Sequence, residues 1–291
     1  MNRLPLLAQR IFNVPVAIHP QKAEIIVSAL AERLGVTKIQ YAGSPITPHA
    51  GNFYYGADEG TSSKSEKGYD IKDGIAIISV SGTLVHKNGN LRPFSGMTGY
   101  DGIRTNFIEA LEDDSARAIV LDIDSGGGEV AGCFDLVDMI YESRGDKPIV
   151  GILSECAFSA AYAIASACDF ITVPRTGGTG SIGVVAFHID QSRALEEAGL
   201  TVTLVQYGDK KTNGTDTQPL STEAFKELQA CVDTMGEMFV DTVARNRDLS
   251  AKKVRAQQAG IFTGAAGIDE GLADKLLAPH DAFRQLQQIV R

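Results

Sequence analysis

Ser159 stands between an apolar run and a stretch of very small residues, Ala160-Ala161-Tyr162-Ala163. A hydroxyl opening such a helix sits at the positive end of the helix dipole, which favours an alkoxide and a nearby oxyanion. Taken alone, it is also what an ordinary helix N-cap provides. Upstream, Asp124-Ser125-Gly126-Gly127-Gly128-Glu129 follows another apolar run. Three consecutive glycines let the backbone approach a ligand and turn its N–H groups into a pocket. They also suit a plain turn, and no Gly-Lys-Ser/Thr follows to make a phosphate loop. Thr176–Val184 (TGGTGSIGV) is a polar glycine-rich turn that carries Ser181. Tyr207–Gly214 (YGDKKTNG) holds Lys210 and Lys211. Two loop lysines are commonly just solvated, but a serine nucleophile needs a base, and a desolvated lysine is a neutral amine near pH 7. His188 with Asp190 beside it keeps a Ser-His-Asp arrangement open by spacing alone.

These residues need elements to hold them. Gly74–Gly82, Ala118–Ile123, Lys147–Leu153 and Phe170–Val173 read as strands, and Val202–Tyr207 as a further one. Thr98–Asp113, Ala131–Ser143, Ser159–Ala167 and Thr222–Asn246 carry helical spacing. Nearly all-apolar strands alternating with helices predict an α/β fold of βα units, with a mostly parallel sheet covered on both faces. A small helical segment opening at Pro20 and stopped by Gly35 precedes it. Residues 42–70 are rich in Gly, Ser, Pro and Thr and read as a linker. The expected organisation is therefore residues 1–41 N-terminal helical segment, 42–70 linker, 71–278 catalytic domain and 279–291 tail.

The 291 residues carry 27 Lys+Arg against 36 Asp+Glu, a net charge of −9. That excludes a generally basic nucleic-acid coat. With 44% hydrophobic and 22% charged residues, the composition is globular. No apolar run approaches the roughly 18–20 residues of a membrane span. Cys133, Cys156, Cys168 and Cys231 form no CxxC pair and read as buried reduced thiols rather than disulfides or a zinc site.

In this order, the four motifs resemble the signal peptide peptidase A family of serine peptidases, relatives of the Clp protease and crotonase folds, from about Gly74 to Leu276. Over nearly the whole chain the resemblance narrows to the head-maturation proteases of lambda-like tailed phages. It is carried by Asn13-Val14-Pro15, Val80–Val85 (VSGTLV), Ser95–Tyr100 (SGMTGY), Asp122-Ile123-Asp124, Val130-Ala131-Gly132, Arg175–Val184 and Gly271–Asp274 (GLAD). The resemblance implies Ser159 as nucleophile and Lys211 as general base, with Lys210 as the neighbouring alternative. It implies Ser181 as the serine that orients the lysine, and the N–H groups of Gly127 and Ala160 as the oxyanion hole. Gly126 and Gly128 complete a substrate-binding loop able to take an extended peptide by strand addition. Gly126 replaces a frequent family proline, and Ala160-Ala161 replace a glycine that often follows the nucleophile.

The expected function is a Ser-Lys endopeptidase that needs no metal or cofactor. It would act in the bacterial host cytoplasm inside the immature phage head, on scaffold, portal or capsid proteins. It would work as a homo-oligomer ring, without nucleic acid or membrane. The lack of an N-terminal anchor favours this role over signal-peptide clearance. The sequence stops soon after the protease portion, so a scaffolding region is expected to be supplied separately or trimmed away. The alternatives are a soluble host protease of the same family, a crotonase-like acyl-CoA enzyme, and a non-catalytic head-assembly scaffold.

Overall fold

The apolar runs become the parallel spine that the sequence predicts. The computed structural model describes residues 14–20, 22, 26 and 67–290. The helix expected from Pro20 lies outside the described residues apart from Pro20, Lys22 and Ile26, as do residues 42–66 of the expected linker. In chain order the strands are β1 (Pro15–Ile18), β2 (Asp70–Lys72), β3 (Ile75–Ser81), β4 (Thr83–Val85) and β5 (Met97–Gly99). Helix α1 (Tyr100–Glu112) leads to β6 (Ala118–Ser125), β7 (Gly127–Glu129) and α2 (Cys133–Glu142). Then come β8 (Ile149–Phe158), α3 (Ala160–Ser166), β9 (Phe170–Val173), β10 (Gly178–Gly180) and β11 (Val185–Ala186). The chain ends with α4 (Ser192–Glu197), α5 (Thr222–Arg247), α6 (Ala251–Ala256), β12 (Ile261–Thr263), α7 (Ala265–Asp269), β13 (Lys275–Leu276) and α8 (Pro279–Ile289).

The main sheet runs β12-β10-β8-β6-β3-β2, with β9 on β8 and β13 on β9. Its inner pairs β3/β6, β6/β8, β8/β9 and β8/β10 are all parallel. The fold is therefore α/β with a mostly parallel sheet. Strand β8 divides its length between two neighbours: Val150–Ile152 face β9, and Cys156–Phe158 face β10. A second sheet runs β11-β1-β7-β4-β5 and is built around the glycine strand β7.

The core lies between the main sheet and helices α1, α2, α3 and α5. Every residue of α3 is buried, which suits its composition: Ala160, Ala161, Ala163, Ala165 and Ser166 let it lie close to its neighbours, and Tyr162 and Ile164 fill the core. Its carboxyl end would leave orphan carbonyls. Arg144 satisfies them, donating to Ser166 O (2.9 Å), Ala167 O (2.8 Å) and Cys168 O (2.6 Å), and reaching Asn246 O in α5 (3.2 Å).

The strand expected at Val202–Tyr207 does not form. No sheet edge pairs with it, and Val205 and Tyr207 are 94% and 100% exposed. Of the large apolar residues of helix α5, Phe239 and Val243 are in the core, while Phe225 and Met238 are exposed. Among the described residues no helix is long and apolar enough to cross a membrane.

Candidate active site

Ser159 occupies the turn from β8 into α3 with φ +54° and ψ −123°. That conformation is sterically costly for a residue with a side chain, and it persists only where the surroundings hold it. Here the Ser159 N–H donates to Gly180 O (2.9 Å), and Ala163 N–H donates to Ser159 O (2.9 Å). The residue is fully buried, yet its hydroxyl does not cap its own helix, so the ordinary N-cap explanation does not apply. The hydroxyl instead points at Gly183 O, 3.4 Å away. A sharp strand-to-helix turn that spends strain to present a serine is the geometry a nucleophile requires.

The glycine strand lies against this serine. A Cβ built on Gly127 would stand 3.0 Å from Ser159 Cβ and 3.0 Å from Phe158 O, so no side chain fits there. Gly127 also has φ +94°, a region that only glycine enters freely. Its N–H donates to Ser125 Oγ (3.1 Å), which in turn donates to Gly82 O (2.6 Å). Ala160 is the first residue of α3, and its N–H belongs to the turn that has no intrahelical acceptor. Gly126 and Gly128 flank Gly127, and a Cβ at Gly128 would meet Leu84 O at 1.8 Å. Gly128 thus lets the β4 backbone pass at close range, while Gly126 makes room for the Lys22 side chain, 2.8 Å from where its Cβ would stand.

Ser181 comes to the same place. Strand β10 pairs in parallel with β8, Gly180 opposite Phe158. Ser181 is buried, has φ +54° like Ser159, and donates its N–H to Gly260 O (2.8 Å).

Neither lysine is hydrogen-bonded to it. Lys211 is exposed on the 207–214 turn, its N–H donating to Gly208 O (3.1 Å), and no hydrogen bond joins it to Ser159 or Ser181. Lys210 is ion-paired with Glu227 on α5, and that carboxylate holds its pKa above the usual lysine value. Asp190, two residues after His188, accepts from Ser192 N–H (2.9 Å), and its carboxyl sits below the usual range through its hydrogen bonds to Ser192.

One component was not read from the sequence. Strand β1 lies between β7 and β11, antiparallel to both, with Ile18 opposite Gly127 and Val16 opposite Val185. His19 donates its N–H to Gly126 O (2.7 Å), and its ring packs on Phe158 at 5.1 Å. Lys22 follows, with burial lowering its pKa against the opposing pull of Asp124. The sequence marks this segment through Asn13-Val14-Pro15 in the family resemblance, without predicting a strand there.

Three of the four thiols are chemically quiet. Burial pushes Cys133 and Cys168 up to about 12 and Cys156 up to about 11. All four cysteines are free. Among the described residues no group of three or more His, Cys, Asp or Glu could hold a metal ion.

The family model for Peptidase family S49 matches residues 142–291, a span that contains Ser159, Ser181 and Lys211. Head-tail preconnector protein GP5 of Enterobacteria phage P21 is 37% identical over 274 residues, covering 94% of this chain and 55% of that protein. Capsid assembly protease C of Escherichia phage lambda is 36% identical over 288 residues, covering 97% of this chain and 65% of that protein. The chain thus spans between about half and two thirds of the length of these two relatives. Among solved structures, an enoyl-CoA hydratase/isomerase from Marinobacter aquaeolei is similar over 77% of this chain and 76% of its own, with TM-score 0.47 and 11% identity.

Proposed function

Because the chain belongs to peptidase family S49, we propose that it is a serine endopeptidase of phage head assembly, with Ser159 as nucleophile and Lys211 as general base. The observation that carries this reading is the strained, uncapped Ser159 at the β8–α3 turn with Gly127 pressed against it. The Lys211 amine takes the Ser159 Oγ proton, and Oγ attacks the substrate carbonyl. The oxyanion is received by the N–H groups of Ala160 and of Gly127, the latter leaving Ser125 Oγ to do so. Such donors are each worth about 10²–10³ in rate. The lysine returns its proton to the leaving amine, and water then hydrolyses the acyl-enzyme to free carboxylate and serine.

Lys211 is exposed within its own subunit, so the dyad is completed between copies. The exposed apolar side chains Leu200, Val202, Val205 and Tyr207 on the same segment, with Phe225 on α5, support that assembly. The protein works as a homo-oligomer ring in which Lys211 of one copy serves Ser159 of another. Its similarity to capsid assembly protease C supports scaffold, portal or capsid proteins as substrates, inside the phage prohead in the bacterial host cytoplasm.

A serine-reactive fluorophosphonate tests the reading. Purified protein is expected to label, and labelling is expected to vanish in both Ser159→Ala and Lys211→Ala. Labelling that survives in Ser159→Ala removes the proposed nucleophile. A wild type that stays unlabelled but binds acyl-CoA replaces the peptidase with a crotonase-like enzyme.

A further inference from the structure

We propose that the gap between β7 and β11 is a strand site for an extended peptide, and that the chain's own residues Val14–His19 fill it and so compete with substrate. The consequence for turnover rests on the Ser159 peptidase reading; the occupancy itself does not.

Topology is the first argument. Strands β7 and β11 are not neighbours of each other: each pairs with β1, antiparallel, from opposite sides. Removing β1 leaves two facing strand edges one strand-width apart, which is the receptor for β-strand addition. The wall on one side is β7, with Gly127 opposite Ile18, Gly128 opposite Ala17 and Glu129 opposite Val16, so at two of its three positions recognition is by backbone alone.

Position is the second. The point where a Cβ on Gly127 would stand lies 2.3 Å from Ala17 O and 3.0 Å from Ser159 Cβ. The carbonyl of Ala17 therefore passes beside the serine that presents its hydroxyl, where a substrate carbonyl belongs. Ala17 is fully enclosed, so the site takes a small side chain at this point.

Attachment is the third. Val16 and Ile18 pack with Val185 and Phe187 in a small cluster of their own, and of the strand only Ala17 joins the main core. Among the described residues the strand that follows β1 is β2, which begins at Asp70. Release of the segment from the gap thus withdraws Ala17 alone from the main core.

The test uses the full chain carrying Ser159→Ala, and a fluorescein-tagged peptide copying residues 14–19 as the probe, read by anisotropy. Val16→Asp with Ile18→Asp, which should expel the strand, is expected to bind the probe at least tenfold more tightly than the parent. Val16→Cys with Val185→Cys, oxidised to tie β1 to β11 and confirmed by mass spectrometry, is expected to lose binding and regain it on reduction. A peptide with Trp in place of Ala17 is expected not to bind the released form. Equal affinity in parent, released and tied forms overturns the proposal. Should the acidic variant fail to fold, identical binding by the tied protein before and after reduction overturns it alone. With Ser159 restored, casein hydrolysis should follow the same order. The binding order without hydrolysis in any form sinks the peptidase reading and leaves the strand site standing.

Discussion

Ser159 and Ser181 occupy equivalent positions on neighbouring parallel strands: each follows one of the register partners Phe158 and Gly180, and each has φ +54°. The backbone bond from Ser159 N–H to Gly180 O fixes the two strand ends together. A lysine arriving at Ser159 therefore arrives at Ser181 as well, which suits Ser181 to hold the amine rather than to attack. Ser181→Ala is expected to lower kcat/KM about fivefold, the worth of one hydrogen bond of about 1 kcal/mol. It is also expected to shift the basic limb of the pH–rate profile, a change that a purely structural role would not cause. An unmoved profile with unchanged kcat/KM would remove Ser181 from the site.

Gly127 has no room for a methyl group. A Cβ there meets Ala17 O at 2.3 Å and crowds Ser159, and the backbone has φ +94°. Gly127→Ala is expected to cut the fluorophosphonate labelling rate by about 10²–10³, the cost of a misplaced oxyanion donor. The main parallel sheet does not depend on this residue, so far-UV circular dichroism should stay that of wild type. Undiminished labelling would show that the glycine strand takes no part.

Much of this architecture was legible because fully buried parallel strands read as unbroken apolar runs, as Ala118–Ile123 does. Strand β8 continues past its apolar run through Ser154-Glu155-Cys156 to Phe158, where β10 gives Cys156, Ala157 and Phe158 a pairing partner. Partnership at a distance is not written in local pattern. The same blindness hid β1, four residues paired with a glycine strand more than a hundred positions away. Val202–Tyr207 shows the converse, a strand-like run that no edge accepts. Within the site, Ser159 was marked by its strand–serine–small-helix context, and the glycines by their run. The adjacency of Ser159 and Ser181 needed the β8/β10 register. The path of Lys211 to any serine is not set by contacts within one subunit.

Arg144 holds the carboxyl end of α3 to α5. It donates to Ser166, Ala167 and Cys168 carbonyls and to Asn246 O, while Asn246 Nδ2 donates to Ser166 Oγ (3.0 Å). Arg144→Leu leaves several carbonyls without donors. Each charge-assisted bond is worth about 1.5–3 kcal/mol, but the bonds share one side chain and are not additive, so a net loss of about 3 kcal/mol is expected. Urea unfolding should show a lower midpoint with an unchanged slope. A midpoint within error of wild type would deny Arg144 this role.

Asp113 gives the domain an acid-sensitive clasp. The Lys67 ammonium (2.5 Å), then the Ser115 hydroxyl and N–H, hold its carboxyl well below the usual carboxylate range, and Tyr69 Oη also donates to it. A depressed folded pKa means that the stabilisation is complete above the unfolded value, about 3.9, and is lost as pH falls below it. The Tm difference between wild type and Asp113→Asn should therefore be constant from pH 8 to about 5 and shrink below about 4. A difference that grows in acid would contradict the assignment.

Two inactive proteins should make one active assembly. Ser159→Ala keeps Lys211, and Lys211→Ala keeps Ser159; each alone is expected to lose at least about 10²–10⁴ in hydrolysis of casein. If the base is donated between copies, mixing them under conditions that allow subunit exchange pairs an intact Lys211 with an intact Ser159 at some interfaces. Activity should then return to a sizeable fraction of wild type and follow the mixing ratio, peaking near equal amounts. Preventing the exposed 199–221 segment from docking, with Val205→Asp and Tyr207→Asp, should abolish the recovery while leaving each folded subunit intact by circular dichroism. Mixtures that exchange subunits, shown by native mass spectrometry, yet stay inactive at every ratio would confine the dyad to a single chain and overturn the shared site.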